Sequence, residues 1–183
     1  MSRRKILTDG EVLDSALVII RKYGPDGLTF ASLSANCGLS GATLVQRFGS
    51  KPALLKSAML HAWDLLDAHT SRAIAAAPHS LEGVIGLLLA LSHYGEIETY
   101  ADGLLLLRED LRDPDLRERG RVWHAVLKEA VSERLAGRDV GIASLLLDQW
   151  QGSLLWWSFD PKEKVEQYVE RRLRDFLARV TTG

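Results

Sequence analysis

Residues able to do chemistry are few and scattered in this sequence. His61, Asp64 and His69 fall near one face of a helical stretch, at +3 and +8. A zinc-binding helix instead sets two histidines at i and i+4 and draws a third ligand from elsewhere, so these three read as solvated polar residues. Cys37 is the only cysteine; it excludes an internal disulfide framework, fits a reducing compartment, and reads as core filling rather than as a redox sensor. There is no Cys–His pair, no phosphate-cradling glycine loop, no nucleophile elbow and no metal motif. The sequence therefore points away from an enzyme and calls for no cofactor and no metal.

The charge pattern is more informative. Over 183 residues the net charge is −1, but it is unevenly placed. Residues 1–60 hold eight basic side chains (Arg3, Arg4, Lys5, Arg21, Lys22, Arg47, Lys51 and Lys56) against Asp9, Glu11, Asp14 and Asp26, a surplus of four. The other 15 basic and 20 acidic residues leave the remainder at −5. A basic head on an acidic body is expected where only the head meets phosphate. The segment MSRRKILTDGEVLDS lacks the apolar core of a signal peptide, and no run approaches the roughly 18 apolar residues that a membrane span needs. The expected location is the cytoplasm.

The elements that carry these residues are predicted to be helical throughout. Val12, Leu13, Ala16, Leu17, Ile19, Ile20 and Tyr23 recur at helical spacing, with Thr8 and Glu11 at capping-box distance and Gly24-Pro25 as the stop. A second helix runs from Thr29 to about Asn36, a third from Ser40 to about Arg47, and a long fourth from about Lys51 to Ala77, where Pro78 ends it. Further helices are expected over Leu81–Ile97, Ala101–Arg112, from Asp113-Pro114 to near Gly137, and over Asp139–Phe159. A ninth opens on Asp160-Pro161-Lys162-Glu163, a cap, an N1 proline and an acidic N3 residue. Its stripe is Val165, Tyr168, Val169, Leu173, Phe176, Leu177 and Val180. The fold class is all-α: an N-terminal three-helix helix-turn-helix domain over 1–50, and a bundle of about six helices over 51–183.

Function concentrates in Leu28–Leu55, LTFASLSANCGLSGATLVQRFGSKPALL. Ser34 sits four residues before Gly38, so a small side chain lies where the second helix of the pair must come close. Leu33, Leu39, Leu44 and Phe48 fill the space between helices. This is the arithmetic of a helix-turn-helix. It holds the helix at Ser40–Arg47 proud of the surface, where it fits a major groove about 12 Å wide.

The segment resembles the N-terminal domain of the TetR family of transcriptional regulators. The resemblance rests on Thr29-Phe30, Leu33-Ser34, Cys37-Gly38-Leu39-Ser40, Thr43-Leu44-Val45, Phe48, Ser50-Lys51 and Leu54-Leu55, and covers about residues 8–56. It implies that Thr29 is a phosphate-contacting cap, and that Ser40, Gly41, Thr43, Gln46 and Arg47 face DNA. Gln46 would read adenine and Arg47 guanine. Lys51 would bind phosphate, and Arg3, Arg4 and Lys5 would form an arm on the backbone or in the minor groove. The family usually has Tyr where this chain has Val45, and often Lys where it has Gly41. Backbone affinity is then lower, or is supplied by Arg47 and the arm.

The resemblance further implies a homodimeric repressor of a palindromic operator, paired through the last two helices at about 139–159 and 161–180. Gly141, Ala143, Ser144, Gly152 and Ser153 permit close helix approach there. It also implies release by a small effector that shifts the fourth helix. The abundant leucine with Trp63, Tyr100, Trp123 and Trp150 suits an apolar or aromatic effector, and His93, Tyr94 or His124 would supply polar contacts. The alternative is a regulator or architectural protein of the same fold without an effector.

Overall fold

The computed structural model describes residues 7–92, 97–135 and 140–181. Among them are nine helices: α1 (Asp9–Gly27), α2 (Phe30–Cys37), α3 (Gly41–Phe48), α4 (Lys51–Ala76), α5 (Leu81–Ala90), α6 (Ile97–Arg112), α7 (Pro114–Arg134), α8 (Val140–Phe159) and α9 (Val165–Thr181). They fall into two compact units. One comprises the described residues up to Leu65 with Asp102–Arg117, the other Leu66–Ala101 with the described residues from Glu118 onward.

In the first unit, Thr8 and Glu11 close a reciprocal capping box at the start of α1. Such a box satisfies two of the helix's orphan N–H donors at once. Gly24, at φ 73°, breaks the helix in its last turns, and Pro25 starts one further turn. Val12, Ala16, Leu17, Ile19 and Ile20 of α1 close on Leu28, Leu33, Leu44, Phe48, Leu54 and Ala58. Leu106 of α6 packs on the same cluster. Tyr23 departs from the expected stripe. It lies exposed, with the Lys22 ammonium 5.1 Å from the ring centroid.

The second unit has its own core, built on Val84, Leu88, Leu127, Val131, Leu146, Trp150, Val169 and Leu173. Its α8 and α5 both pack on α9. Arg134 is a buried cation in this unit. Its guanidinium donates to the carbonyls of Ala130 (2.8 Å), Ile74 (2.6 Å) and Ala77 (3.0 Å). Ile74 and Ala77 lie at the C-terminal end of α4, whose last carbonyls have no helical partner and attract positive charge.

Two helix boundaries differ from the sequence expectation. The helix expected over Leu81–Ile97 ends at Ala90, and Ile97 belongs to α6. Ser92 explains the stop. Its N–H donates to Leu89 O (2.9 Å), its hydroxyl donates to Leu88 O (2.7 Å), and that hydroxyl also accepts the Trp150 indole N–H (2.8 Å). The last helix begins at Val165, not at Pro161. The Asp160 carboxylate accepts from Lys162 Nζ at 2.8 Å, and the Trp157 indole N–H takes the Glu163 carbonyl at 2.8 Å. The cap-like run is thereby a wrapped turn, and tertiary contacts override its local start signal.

Candidate nucleic-acid interface

The α2–turn–α3 element is assembled from local bonds. Thr29 caps α2: its hydroxyl accepts the Ser32 N–H (3.0 Å), and Ser32 Oγ accepts the Thr29 N–H (2.9 Å). At the other end Gly38 adopts φ 77°, a left-handed conformation open to glycine without a Cβ penalty. Ser34 does more than leave room. Its hydroxyl donates to Leu39 O at 2.6 Å, bracing the turn from within. Ser40 then caps α3, accepting the Thr43 N–H (3.2 Å) and lying 2.8 Å from Thr43 Oγ1.

An eight-residue helix is too short to hold itself in water; its orientation comes from burial. Leu44 and Phe48 enter the core of the first unit, with Cys37 and Leu39 packed at its edge. Ala42, Val45 and Gln46 are turned outward, while Gly41, Thr43 and Arg47 lie half-covered.

The cations expected to meet DNA are already engaged. Arg47 Nη1 donates to Leu7 O (2.8 Å) and to Asp9 Oδ1 (3.2 Å), tying the C-terminal end of α3 to the start of α1. Lys51, exposed at the N-terminus of α4, donates to Asp26 O at 2.9 Å. Arg3, Arg4 and Lys5 lie outside the described residues. Sequence spacing gave no sign of Leu7, Asp9 or Asp26 as partners, which lie 25–40 positions away. The outward turn of Ala42 and Val45 was readable, because inward Leu44 and Phe48 fix the opposite face at 3.6 residues per turn.

Residues 102–117 join this unit through charge. Lys56 Nζ lies 2.5 Å from Asp115 Oδ2 and 3.1 Å from Asp113 Oδ2, and these bonds raise the Lys56 pKa above its ordinary value, Asp115 most. Partial desolvation pulls Asp113 upward, but Lys56 and the N–H groups of Asp115 and Leu116 together hold it below the usual carboxylate value. Trp63 donates its indole N–H to Asp110 Oδ1 at 2.9 Å. Burial raises the Asp110 pKa, and the Trp63 bond only partly opposes this.

The residues expected to meet an effector fall in both units. Trp63 belongs to the first unit. In the second, Trp123 donates to Thr70 Oγ1 (2.8 Å) and sits 6.4 Å from Trp150, and Tyr100 meets Trp157 edge-on at 6.4 Å. His124 is exposed. His93 and Tyr94 lie outside the described residues. Of the loose metal face, His61 bonds Asp14 (2.8 Å) and His69 bonds Ala90 O (3.2 Å). No group of three or more potential ligands forms a metal site among the described residues.

The α8–α9 surface carries a cleft of about 430 Å³ lined by Leu145, Gln149, Gly152, Trp156, Tyr168 and Phe176, among others. Beside it Trp156 is 66% exposed and Phe159 73%, their rings 5.7 Å apart. Trp157, next in sequence, is buried. No helix among the described residues is long and apolar enough to cross a membrane.

Comparison with known proteins agrees with this geometry. Residues 12–58 match the model of the bacterial regulatory proteins, tetR family. No match is found among curated protein sequences. A transcriptional regulator from Rhodococcus sp. Rha1 superposes with a TM-score of 0.76 at 18% identity, covering 96% of this chain and 97% of that one. The TetR family regulator PfmR from Thermus thermophilus gives 0.65 at 21% identity, over 91% and 97%. The multidrug binding protein EbrR, solved with proflavin, gives 0.63 at 20% identity, over 90% and 96%. Residues 12–58 therefore match the N-terminal domain of the tetR family of bacterial regulatory proteins, and the described residues adopt an all-helical fold similar to that of these transcriptional regulators.

Proposed function

We propose that the protein is a cytoplasmic, homodimeric repressor, acting by binding and not by catalysis, that holds a palindromic operator through α3 of each copy. The observation that carries this reading is α3 itself: a capped, braced helix with Leu44 and Phe48 buried and its opposite face turned to solvent. Thr29, Ser40, Gly41, Thr43, Gln46 and Lys51 form the DNA-facing set, with Arg47 and the Arg3-Arg4-Lys5 arm adding positive charge. One such helix makes too few contacts for specificity. Two, related by a two-fold axis, read half-sites about 34–36 Å apart.

The exposed Trp156 and Phe159 and the adjoining cleft support pairing through α8 and α9, since large exposed apolar patches mark association surfaces. An apolar or aromatic effector is supported by EbrR, a similar fold that holds proflavin. The reading without an effector draws on one observation: the Trp123 and Trp150 indoles are already bonded to Thr70 and Ser92.

A mobility-shift titration against DNA upstream of the protein's own gene, at several salt concentrations, tests the proposal. Preference over random DNA and a steep salt dependence are expected, with a dimer in sedimentation. Equal affinity for both DNAs, or a monomer, would overturn it. Calorimetry with aromatic cations such as proflavin, showing no heat and no release of DNA, would select the effector-free reading.

A further inference from the structure

We infer that α3 reads A·T base pairs, with Gln46 on adenine and Ala42 and Val45 against thymine methyl groups, and that Arg47 is a positioning residue rather than a reader of guanine. The inference rests on the DNA-binding reading above and extends it to the chemistry of the half-site.

The argument starts from which side chains α3 still has to offer. The Ser40 and Thr43 hydroxyls bond each other and cap the helix. Leu44 and Phe48 are in the core. The outward face is left with Ala42, Val45 and Gln46. Val45 is 45% exposed, a large apolar side chain at the centre of a face otherwise suited to a polar groove. Apolar contact with the C5 methyl is how a protein distinguishes thymine in the major groove, and a glutamine amide, with one acceptor and two donors, matches adenine N6 and N7. The three residues therefore share one preference.

Arg47 is the only side chain of α3 that could add guanine. Bidentate guanine recognition needs the guanidinium fork directed into the groove. Here the side chain is 24% exposed and turned back, with Nη1 on the Leu7 carbonyl and the Asp9 carboxylate. Releasing it would break both bonds and leave Asp9 uncompensated at the edge of a polyanion. In place, the clasp neutralises Asp9 and fixes the end of α3 to the residue from which the N-terminal segment departs.

The test selects half-sites from a random DNA library with the full-length wild-type protein, then measures affinity for chemically altered versions of the winner. Selected half-sites are expected to carry A·T pairs at the positions under α3. Gln46→Ala should relax the adenine preference about tenfold. Uracil in place of thymine should weaken wild-type binding about fourfold, the worth of roughly one buried methyl, and should weaken Val45→Ala less. Replacing guanine with 7-deazaguanine should change nothing under α3. Arg47→Ala should lower affinity for all sequences alike without changing the selected half-site, and Arg47→Lys should restore part of that loss. A selected guanine whose preference disappears with 7-deazaguanine or in Arg47→Ala would overturn the inference while leaving the DNA-binding reading intact. Failure to select any sequence would overturn both.

Discussion

If α3 is held only by what it buries, two adjacent residues should respond to the same kind of truncation by very different amounts. Leu44 is fully buried. Leu44→Ala removes three carbons from the core of the first unit, about 2.4 kcal/mol of transfer free energy at ~0.8 kcal/mol per methylene. The cavity adds to this, so the total cost is about 3–4 kcal/mol. Against a whole-domain stability of roughly 5–15 kcal/mol, that lowers the folded-to-unfolded ratio more than a hundredfold while most molecules stay folded, and DNA binding should fall as α2 and α3 lose order although Leu44 touches no DNA. Val45→Ala trims a side chain that is 45% exposed and replaces a β-branched residue with the best helix former. Its stability should change by less than about 0.5 kcal/mol. Urea unfolding monitored by circular dichroism, with amide hydrogen exchange to localise the loss to α2 and α3, measures both. A cost for Leu44→Ala below about 1 kcal/mol, or an equal cost for the two variants, would refute the orientation of α3 and the binding face derived from it.

Three further outcomes follow from features of the two cores. Gly83→Ala should destabilise the second unit by ~3 kcal/mol or more, because a Cβ there would lie 1.8 Å from the Pro78 carbonyl oxygen; a thermal melt reads it. Arg134→Ala should cost at least as much, since it takes the guanidinium donors from the Ala77 carbonyl and from Ile74 O, which keeps only the 3.3 Å bond from the Ala77 N–H. Arg134→Met, which keeps much of the volume, should recover only the packing share. The raised pKa of Asp110 means the folded state binds its proton more readily than the unfolded chain does, so this group's contribution weakens as pH rises from about its ordinary 3.8 through the higher folded value. Asp110→Asn should flatten that part of the stability–pH curve while keeping an acceptor for Trp63, and an unchanged slope would count against a desolvated Asp110.

Legibility in the sequence tracked the range of the interactions involved. The caps at Thr8, Thr29 and Ser40 depend on neighbours within a few residues, and the first three helices start where the sequence set them. The stripe of α9 was readable because its partners are decided by periodicity alone. Errors arose where a distant side chain intervened. Trp150 reaches across to Ser92 at the end of α5, and Trp157 captures the carbonyl of Glu163; neither is visible in local propensity. At the candidate interface the polar inventory was legible, but its disposition was not. The spacing put Arg47 on α3 and could not show that Leu7 and Asp9 hold it.

α8 carries three indoles, Trp150 and Trp157 inside and Trp156 outside, and so gives the molecule optical reporters at two depths. Trp150, almost sealed from water and bonded to Ser92, should emit at short wavelength, whereas Trp156 faces bulk solvent and should emit further to the red. With the half-buried Trp63 and Trp123 replaced by Phe, covering the outer ring would shift the red component alone; disturbing the interior would move the blue one. Subunit pairing and events inside the second unit would then register at separate colours in a single unlabelled sample.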